Sequence, residues 1–411
     1  MEDLLYLCHR IPYPPNKGDK IRSFNIIKYI SRFYRVHLAA FIDDRNDWRE
    51  VERLGPYCES MFFADLKPGA ARIKSIKGFF SGQALTIPYY KDPGLMEHIV
   101  GVVKRYHIRR ALVFSGAMAQ YLQAPELRDV RAVVDFVDVD SDKWRQYSMN
   151  KHWPMNWLYG READRLLAFE ARIARQTQAS VFVSREEADL FRKLAQVDAD
   201  KVHFMDNGVD TGFFDPSQTY ESPYGPEEEV IVFTGAMDYW ANVEAVSWFV
   251  REVLPRIQKD RPGARFYIVG SRPTEAVQKL ARSPGVFVTG TVADIRPYLA
   301  GAALAVAPLR IARGVQNKVL EAMAMGKVVV ATPQAMEGID LDLPLGDFIF
   351  EEPEAMARRC LALMADPGYC REAGRRGREA VIRRYDWDAS LAKLRRLLSD
   401  GEPAREAAQT A

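Results

Sequence analysis

The feature that most narrows what this chain can become is an alternation of short, nearly unbroken apolar runs with longer amphipathic stretches. The runs are Leu4 to Cys8, Val36 to Ile42, Met61 to Ala64, Ala111 to Phe114, Ala132 to Val137, Ser180 to Val183 and Val202 to Met205. Runs of this kind suit strands covered on both faces, and the intervening lengths suit right-handed helical crossovers between parallel strands. Around Thr211 to Glu229 the pattern stops in a stretch rich in Pro, Gly, Ser and acidic residues. It restarts with Val230 to Thr234, Phe266 to Val269, Val286 to Thr289, Ala303 to Ala307, Val328 to Ala331 and Phe348 to Phe350. Two doubly wound α/β domains are therefore expected, residues 1–210 and 230–384, joined by a linker at 211–229. Leu391, Leu394, Leu397 and Leu398 fall at helical spacing and predict a C-terminal helix over 385–400, able to pack back on the first domain, before a frayed tail at 401–411.

Composition supports this reading and removes others. A chain of 411 residues, 48% apolar and 27% charged, has core enough for two domains. Its net charge of +2 lacks the dense basic footprint of a nucleic-acid binder, so no nucleic-acid partner is expected and any anion must be met by local groups. Cys8, Cys58, Cys360 and Cys370 are scattered, without CxxC pairs or histidines at ligand spacing. A reduced cytoplasmic protein with no structural metal and no cofactor is expected. The apolar start is too short for a signal peptide, and no run approaches the roughly 20 apolar residues of a membrane span. The chain is thus expected neither to cross a membrane nor to be exported by the usual route.

The segment from Leu304 to Pro333 reads as strand, glycine-containing turn, helix closed by Gly326, and strand. On that helix Val315, Val319, Ala322 and Met323 share one side, while Asn317, Lys318 and Glu321 project from another, near Gly314. A nucleotide diphosphate suits such a place. Gly314 lets backbone approach the ligand, the first-turn amides and helix dipole attract anionic oxygens, and Arg313 or Lys318 adds formal charge. Glu321, a turn deeper, is placed to accept hydrogen bonds from ribose hydroxyls. The plainer alternative is a solvated helix face with an intrahelical Lys318–Glu321 pair.

The run Leu320-Glu-Ala-Met-Ala-Met-Gly-Lys-Val-Val-Val-Ala-Thr resembles the signature of family 4 retaining glycosyltransferases of the GT-B fold. Asp206-Asn-Gly-Val-Asp-Thr-Gly-Phe-Phe is similar to their interdomain segment. Thr234-Gly-Ala-Met, Asn242, Ile268-Val-Gly and Val288-Thr-Gly match further landmarks in the same order. Pro12-Tyr-Pro-Pro-Asn-Lys-Gly-Asp-Lys and Asp135-Phe-Val-Asp-Val-Asp-Ser-Asp-Lys-Trp resemble sugar transferases of exosortase (PEP-CTERM) and exopolysaccharide systems. The resemblance implies a GT-B architecture: two facing Rossmann-like domains with a cleft between them, the second binding the nucleotide-sugar donor and the first taking the acceptor. It also implies donor contacts at Gly235 and at Gly18, whose turn approaches the transferred sugar and phosphate. Two departures stand out. The family pairs Glu321 with a second glutamate at the position of Arg313, and follows Gly235 with basic residues where this chain has Ala236, Met237 and Asp238. Arg313 and Lys318 are therefore expected to meet the phosphates instead.

In the first half, Asp135, Asp138, Asp140 and Asp142 gather at a strand end. Their Asp-x-Asp spacing evokes a metal-dependent transferase of the other fold, but the two alternating halves and the Glu321 motif argue against it. The resemblance to GT-B transferases, which often place a histidine or carboxylate at this strand end, implies Asp138, then Asp140, as the catalytic carboxylates facing the donor sugar or the acceptor hydroxyl; capping of the next helix is the structural alternative for Asp140 and Asp142. His9, also at a strand end, is left outside the catalytic set. From Lys67 to Lys91 basic residues mix with Phe79, Phe80, Tyr89 and Tyr90 without an acidic residue, which suits an anionic membrane surface or a lipid-diphosphate acceptor; a loop and helix with core aromatics is the alternative. The expected activity is a metal-independent, retaining transfer from a nucleotide-diphosphate sugar to a glycan or lipid-linked acceptor in exopolysaccharide or glycoconjugate synthesis, in the cytoplasm or peripherally on the inner face of the cell membrane. A nucleotide-sugar epimerase of the same fold and an inactive nucleotide-sugar-binding protein are the alternatives.

Overall fold

The computed structural model describes residues 1–399 apart from 81, 150, 227 and 313, with the backbone alone described at 70, 76, 77 and 80. The expected phosphate contact Arg313 and the expected tail at 401–411 lie outside the described residues. The chain forms two compact units: Met1–Asp206 together with the chain from Leu391, and Asn207–Ser390.

The first unit is built on a seven-stranded sheet of β1 (Glu2–Cys8), β2 (Tyr34–Ile42), β3 (Ser60–Asp65), β4 (Arg110–Phe114), β5 (Arg131–Val137), β6 (Ala179–Phe182) and β7 (Val202–Phe204). Their order is β3-β2-β1-β4-β5-β6-β7, and every pairing is parallel. Leu4 stands opposite both Val36 and Arg110, so β1 is central, and Leu4 to Cys8 are wholly buried as an unbroken apolar run requires. The helices of this unit include α1 (Gly18–Ile30), α2 (Pro68–Phe80), α3 (Asp140–Met149) and α4 (Met155–Gln176).

Helix α1 departs from its apolar periodicity. Besides the apolar Ile26, Ile27, Tyr29 and Ile30, it buries Lys20, Arg22 and Ser23. The two cations can enter because each is met. Arg22 donates from Nε to Asp135 (2.8 Å) and from Nη1 to the Met205 carbonyl (2.9 Å), and Lys20 Nζ lies 2.6 Å from Asp47. Asp135, grouped by sequence with the strand-end carboxylates, is thereby withdrawn into the core at 0% exposure.

The second unit carries β8 (Glu229–Thr234), β9 (Ala264–Val269), β10 (Val286–Gly290), β11 (Leu304–Ala307) and β12 (Val329–Ala331), all parallel, in the order β10-β9-β8-β11-β12. Phe348 to Phe350, expected as a further strand, is a 3-10 turn followed by one bridge from Ile349 to Ala331. A new helix begins at Pro353, which leaves no length for a ladder. The stretch 211–229, expected as a linker, is counted with this unit, where Phe214 and Tyr224 join the core and the Tyr224 hydroxyl donates to the Tyr298 carbonyl at 2.8 Å. Its site helices are α5 (Trp240–Trp248) and α6 (Asn317–Ala324); α7 (Trp387–Leu398) starts in this unit and ends in the first. Among the described residues no helix is long and apolar enough to cross a membrane.

Candidate active site

In both sheets the strand order reverses beside the first strand, between β1 and β4 and between β8 and β11. Crossovers leave such a point in opposite directions and open a crevice at the carboxyl ends of the strands. In the second unit that crevice is a pocket of about 450 Å³, lined by Thr234, Gly235 and Ala236 after β8, Val269 to Ser271 after β9, Thr291, Val292 and Ile295 after β10, and Val315, Asn317, Lys318 and Glu321 at α6. Asn242, from α5, completes the wall.

The glycines make room for it. A Cβ on Gly270 would lie 1.7 Å from the Gly235 carbonyl oxygen, so the turns after β8 and β9 can touch only with hydrogen at that place. A Cβ on Gly235 would meet the Asn242 amide at 2.8 Å and Lys318 Cε at 3.3 Å. Polar groups then line a space they do not fill. Asn242 Nδ2 donates to the Ala236 carbonyl at 2.9 Å, which fixes the amide and leaves Oδ1 buried without a partner among the described residues. Asn317 Oδ1 is in the same position. Two orphaned acceptors in a pocket wall suit the hydroxyls of a ribose or sugar.

Lys318 and Glu321 are the charged pair of this wall. Burial lowers the Lys318 ammonium to about 8, against the opposing pull of Glu321, and raises the Glu321 carboxyl to about 7, against Lys318. No ion pair within contact distance joins them; Lys318 Nζ instead meets Gln316 Oε1 at 3.2 Å and lies 5.7 Å from the centre of the Phe233 ring. In both groups burial opposes the charged form and the other's charge offsets it only in part. At the start of α6 the Val319 and Leu320 amides donate to the Gln316 carbonyl, at 2.9 and 3.5 Å, and the helix begins beside this pair. Gly314 does not line the pocket; it is exposed, has open space around it and takes φ +63° in the turn before α6, a conformation suited to glycine.

In the first unit the expected residues fall in two places. Gly18 is the exposed first residue of α1, with nothing within 4 Å of a Cβ built on it. Asp138 and Asp140 follow β5, and Lys143 holds both, at 2.7 and 3.1 Å. Burial works against the Lys143 ammonium, but Asp140 and Asp138 more than reverse it and raise its pKa. The chain just before Asp138 is unusual. Val137 has φ +70°, and the pairing of β5 with β6 shifts register between Asp135 and Val137. A β-branched residue in the left-handed region costs on the order of 1–3 kcal/mol, and bulges of this kind re-aim the residues after them. Here the bulge separates buried Asp135 from half-buried Asp138.

Sequence reasoning missed a network at the end of β1. Arg10 joins Asp19 (2.6 Å) and Asp43 (2.7 Å), and His9 Nε2 stands 3.4 Å from Asp19. Burial would raise the Asp19 carboxyl, yet His9 and Arg10 together hold it well below the usual carboxylate range. It also passed over Gly270, Ser271 and Thr291 as pocket residues, although Ile268-Val-Gly and Val288-Thr-Gly mark the strand ends that carry them.

Residues 228–400 match the family model described as glycosyl transferases group 1. Over 227 residues the chain is 28% identical to an alpha-maltose-1-phosphate synthase of Mycolicibacterium smegmatis, covering 48% of this chain and 57% of that protein, so the match spans little more than half of that relative. Among solved structures, a sucrose-phosphate synthase of Thermosynechococcus elongatus superposes with a TM-score of 0.63 at 17% identity, over 96% of this chain and 98% of that one. The Anabaena protein HepE, solved with UDP, gives a TM-score of 0.62 at 14% identity, over 96% and 99%. At such identities these two establish the fold, which is that of the GT-B glycosyltransferases.

Proposed function

We propose, from the premise that residues 228–400 of this chain form a group 1 glycosyl transferase segment, that the chain transfers a sugar from a nucleotide-diphosphate sugar bound in the pocket of the second unit. The observation that carries this reading is the convergence on one crevice of a partly desolvated cation, a carboxylate, two unpartnered amide oxygens and a helix N-terminus. The ammonium and the α6 amides meet the diphosphate, Glu321 and the asparagine oxygens accept from hydroxyls, and Val292, Ile295 and Val315 offer an apolar wall to a flat base. HepE, of the same fold, was solved with UDP and with UDP-glucose, which favours such a donor here.

The transfer is read as retaining and metal-independent. Lys318 and the helix amides stabilise the departing diphosphate, whose own oxygen takes the acceptor proton as the new glycosidic bond forms. Asp138, strengthened as a candidate by the bulge before it, and Asp140 orient the sugar or the acceptor hydroxyl; Gly18 lets the β1 turn approach the donor, and Arg313 adds charge to the phosphates. The acceptor is a glycan or lipid-linked saccharide in exopolysaccharide or glycoconjugate synthesis, met on the inner face of the cell membrane. Calorimetric titration with UDP-, GDP- and ADP-sugars tests the core of this reading: one series is expected to bind, with Lys318→Ala weakening it by about 1.5–3 kcal/mol. Binding of none of them, or unchanged binding in the variant, would remove the pocket from the reaction.

A further inference from the structure

Two stretches of the first unit contain no acidic residue: 67–91, with Lys67, Arg72, Lys74, Lys77 and Lys91, and 143–161, with Lys143, Arg145, Lys151 and Arg161. In a chain of 57 basic and 55 acidic residues this is a local segregation of charge. The fold joins the two stretches. Phe79, at the end of α2, meets Trp157, in the first turn of α4, with ring centroids 5.8 Å apart. Arg161 lies 4.8 Å from the centre of the Phe79 ring and donates to the Gly78 and Phe79 carbonyls at 3.3 and 3.1 Å.

Helices α3 and α4 form a hairpin whose tip carries large apolar side chains into water: Trp153 is 81% exposed, Met149 75% and Trp157 54%. Behind the tip the Trp144 ring packs against Tyr147 (5.9 Å) and Tyr159 (5.3 Å), tying the two helices together. Exposed tryptophans on a braced element, with Lys151 beside them in the chain, mark a surface that something covers. Protein interfaces favour aromatics and Met but are depleted in Lys, whereas Trp and Tyr among lysines without acids match the headgroup layer of an anionic bilayer.

We propose that the α3–α4 hairpin tip and the C-terminal end of α2 form one docking surface for an anionic lipid bilayer. The tryptophans and Met149 enter the boundary between headgroups and acyl chains, and Lys74 and Lys151 meet the lipid phosphates. This deepens, and rests on, the reading that the acceptor is met at a membrane face.

The test uses the whole protein with vesicles of phosphatidylcholine alone or with one-third phosphatidylglycerol, at low and at physiological salt. Co-sedimentation with the anionic vesicles is expected, with quenching of tryptophan emission by brominated lipid and steep loss on adding salt. Trp153→Ser with Trp157→Ser should weaken partitioning about tenfold, and Lys74→Glu or Lys151→Glu about fivefold each. Nucleotide-sugar binding, measured by calorimetry on the same samples, is expected unchanged in all four substitutions, which keeps failure of docking distinct from failure of the donor site. Donor-competent wild-type protein that stays in solution beside anionic vesicles at low salt would overturn the proposal. Self-association that disappears with the tryptophans would overturn it too, by assigning the tip to a second copy of the chain.

Discussion

Lys318 and Glu321 are each unfavourably placed in their charged forms, and both costs can be read out by pH. Burial has brought Lys318 down to about 8, so a diphosphate that favours the ammonium will draw the pKa back up and take up a proton on binding. Affinity is therefore expected to fall as pH rises through about 8. Calorimetry in buffers of different ionisation enthalpy should show uptake approaching one proton near the alkaline end of that fall, and none in Lys318→Met. For Glu321 the sign concerns stability. A carboxyl raised to about 7 in the folded state, from 4.5, destabilises the fold fully above about 7 and not at all below about 4.5. Glu321→Gln should thus stabilise the protein by on the order of 2 kcal/mol at alkaline pH and leave it unchanged at acidic pH, while weakening the donor. Urea unfolding at the two extremes measures it, and equal effects at both would mean that the buried charge is not the cause.

At the scale of elements, strand ends and turns decide where the side chains go. Gly270→Ala pushes a methyl group against the Gly235 carbonyl, so the turns after β8 and β9 must part and the pocket wall shifts with them. Loss of nucleotide-sugar binding and about 2 kcal/mol of destabilisation are expected, against about 1 kcal/mol for Gly314→Ala, which strains only a positive φ in open space. Thermal melts and donor titrations of the pair separate close approach from backbone conformation. At β5 the bulge makes the same kind of argument for Asp138. Asp138→Asn should lower kcat with little change in donor affinity or melting temperature, and equal losses in rate and stability would return it to a structural role with Lys143. The strands were legible from sequence because burial on both faces writes itself as an unbroken apolar run. The buried face of α1 was not, since Arg22 enters the core only by meeting Asp135, 113 positions away. Nor was Val137, whose left-handed conformation belongs to the pairing of two strands rather than to its neighbours. In the pocket, Lys318 and Glu321 could be found by helix spacing. Gly270 and Thr291 sit on separate turns and Asn242 on α5, and only the sheet order brings the three together.

Among the described residues one apolar cluster lies wholly within the first unit and another wholly within the second. The pocket at the carboxyl ends of β8, β9 and β10 is lined entirely from the second unit. Residues 207–390 therefore hold a complete core and a complete pocket, and this fragment is expected to melt cooperatively and bind nucleotide sugar within a fewfold of the whole chain, with no transfer activity. The converse fragment is not equivalent. Residues 1–206 lack the end of α7, where Leu391, Leu394 and Leu398 are buried. The Leu398 and Leu397 carbonyls there accept from Arg110 (2.9 Å) and Gln178 (2.8 Å), and Lys393 and Arg395 lie over Phe204 (4.6 Å) and Phe33 (4.1 Å). Each buried leucine is worth about 1.5–3 kcal/mol, so their joint loss approaches the whole stability of an ordinary domain. Residues 1–206 alone should be poorly folded by near-ultraviolet circular dichroism, and joining 391–399 to their end through a flexible linker should restore a cooperative melt. If residues 1–206 folded as well without that segment, the C-terminal helix would have no part in the first core, and if residues 207–390 failed to bind the donor, the pocket would need groups from outside its own unit.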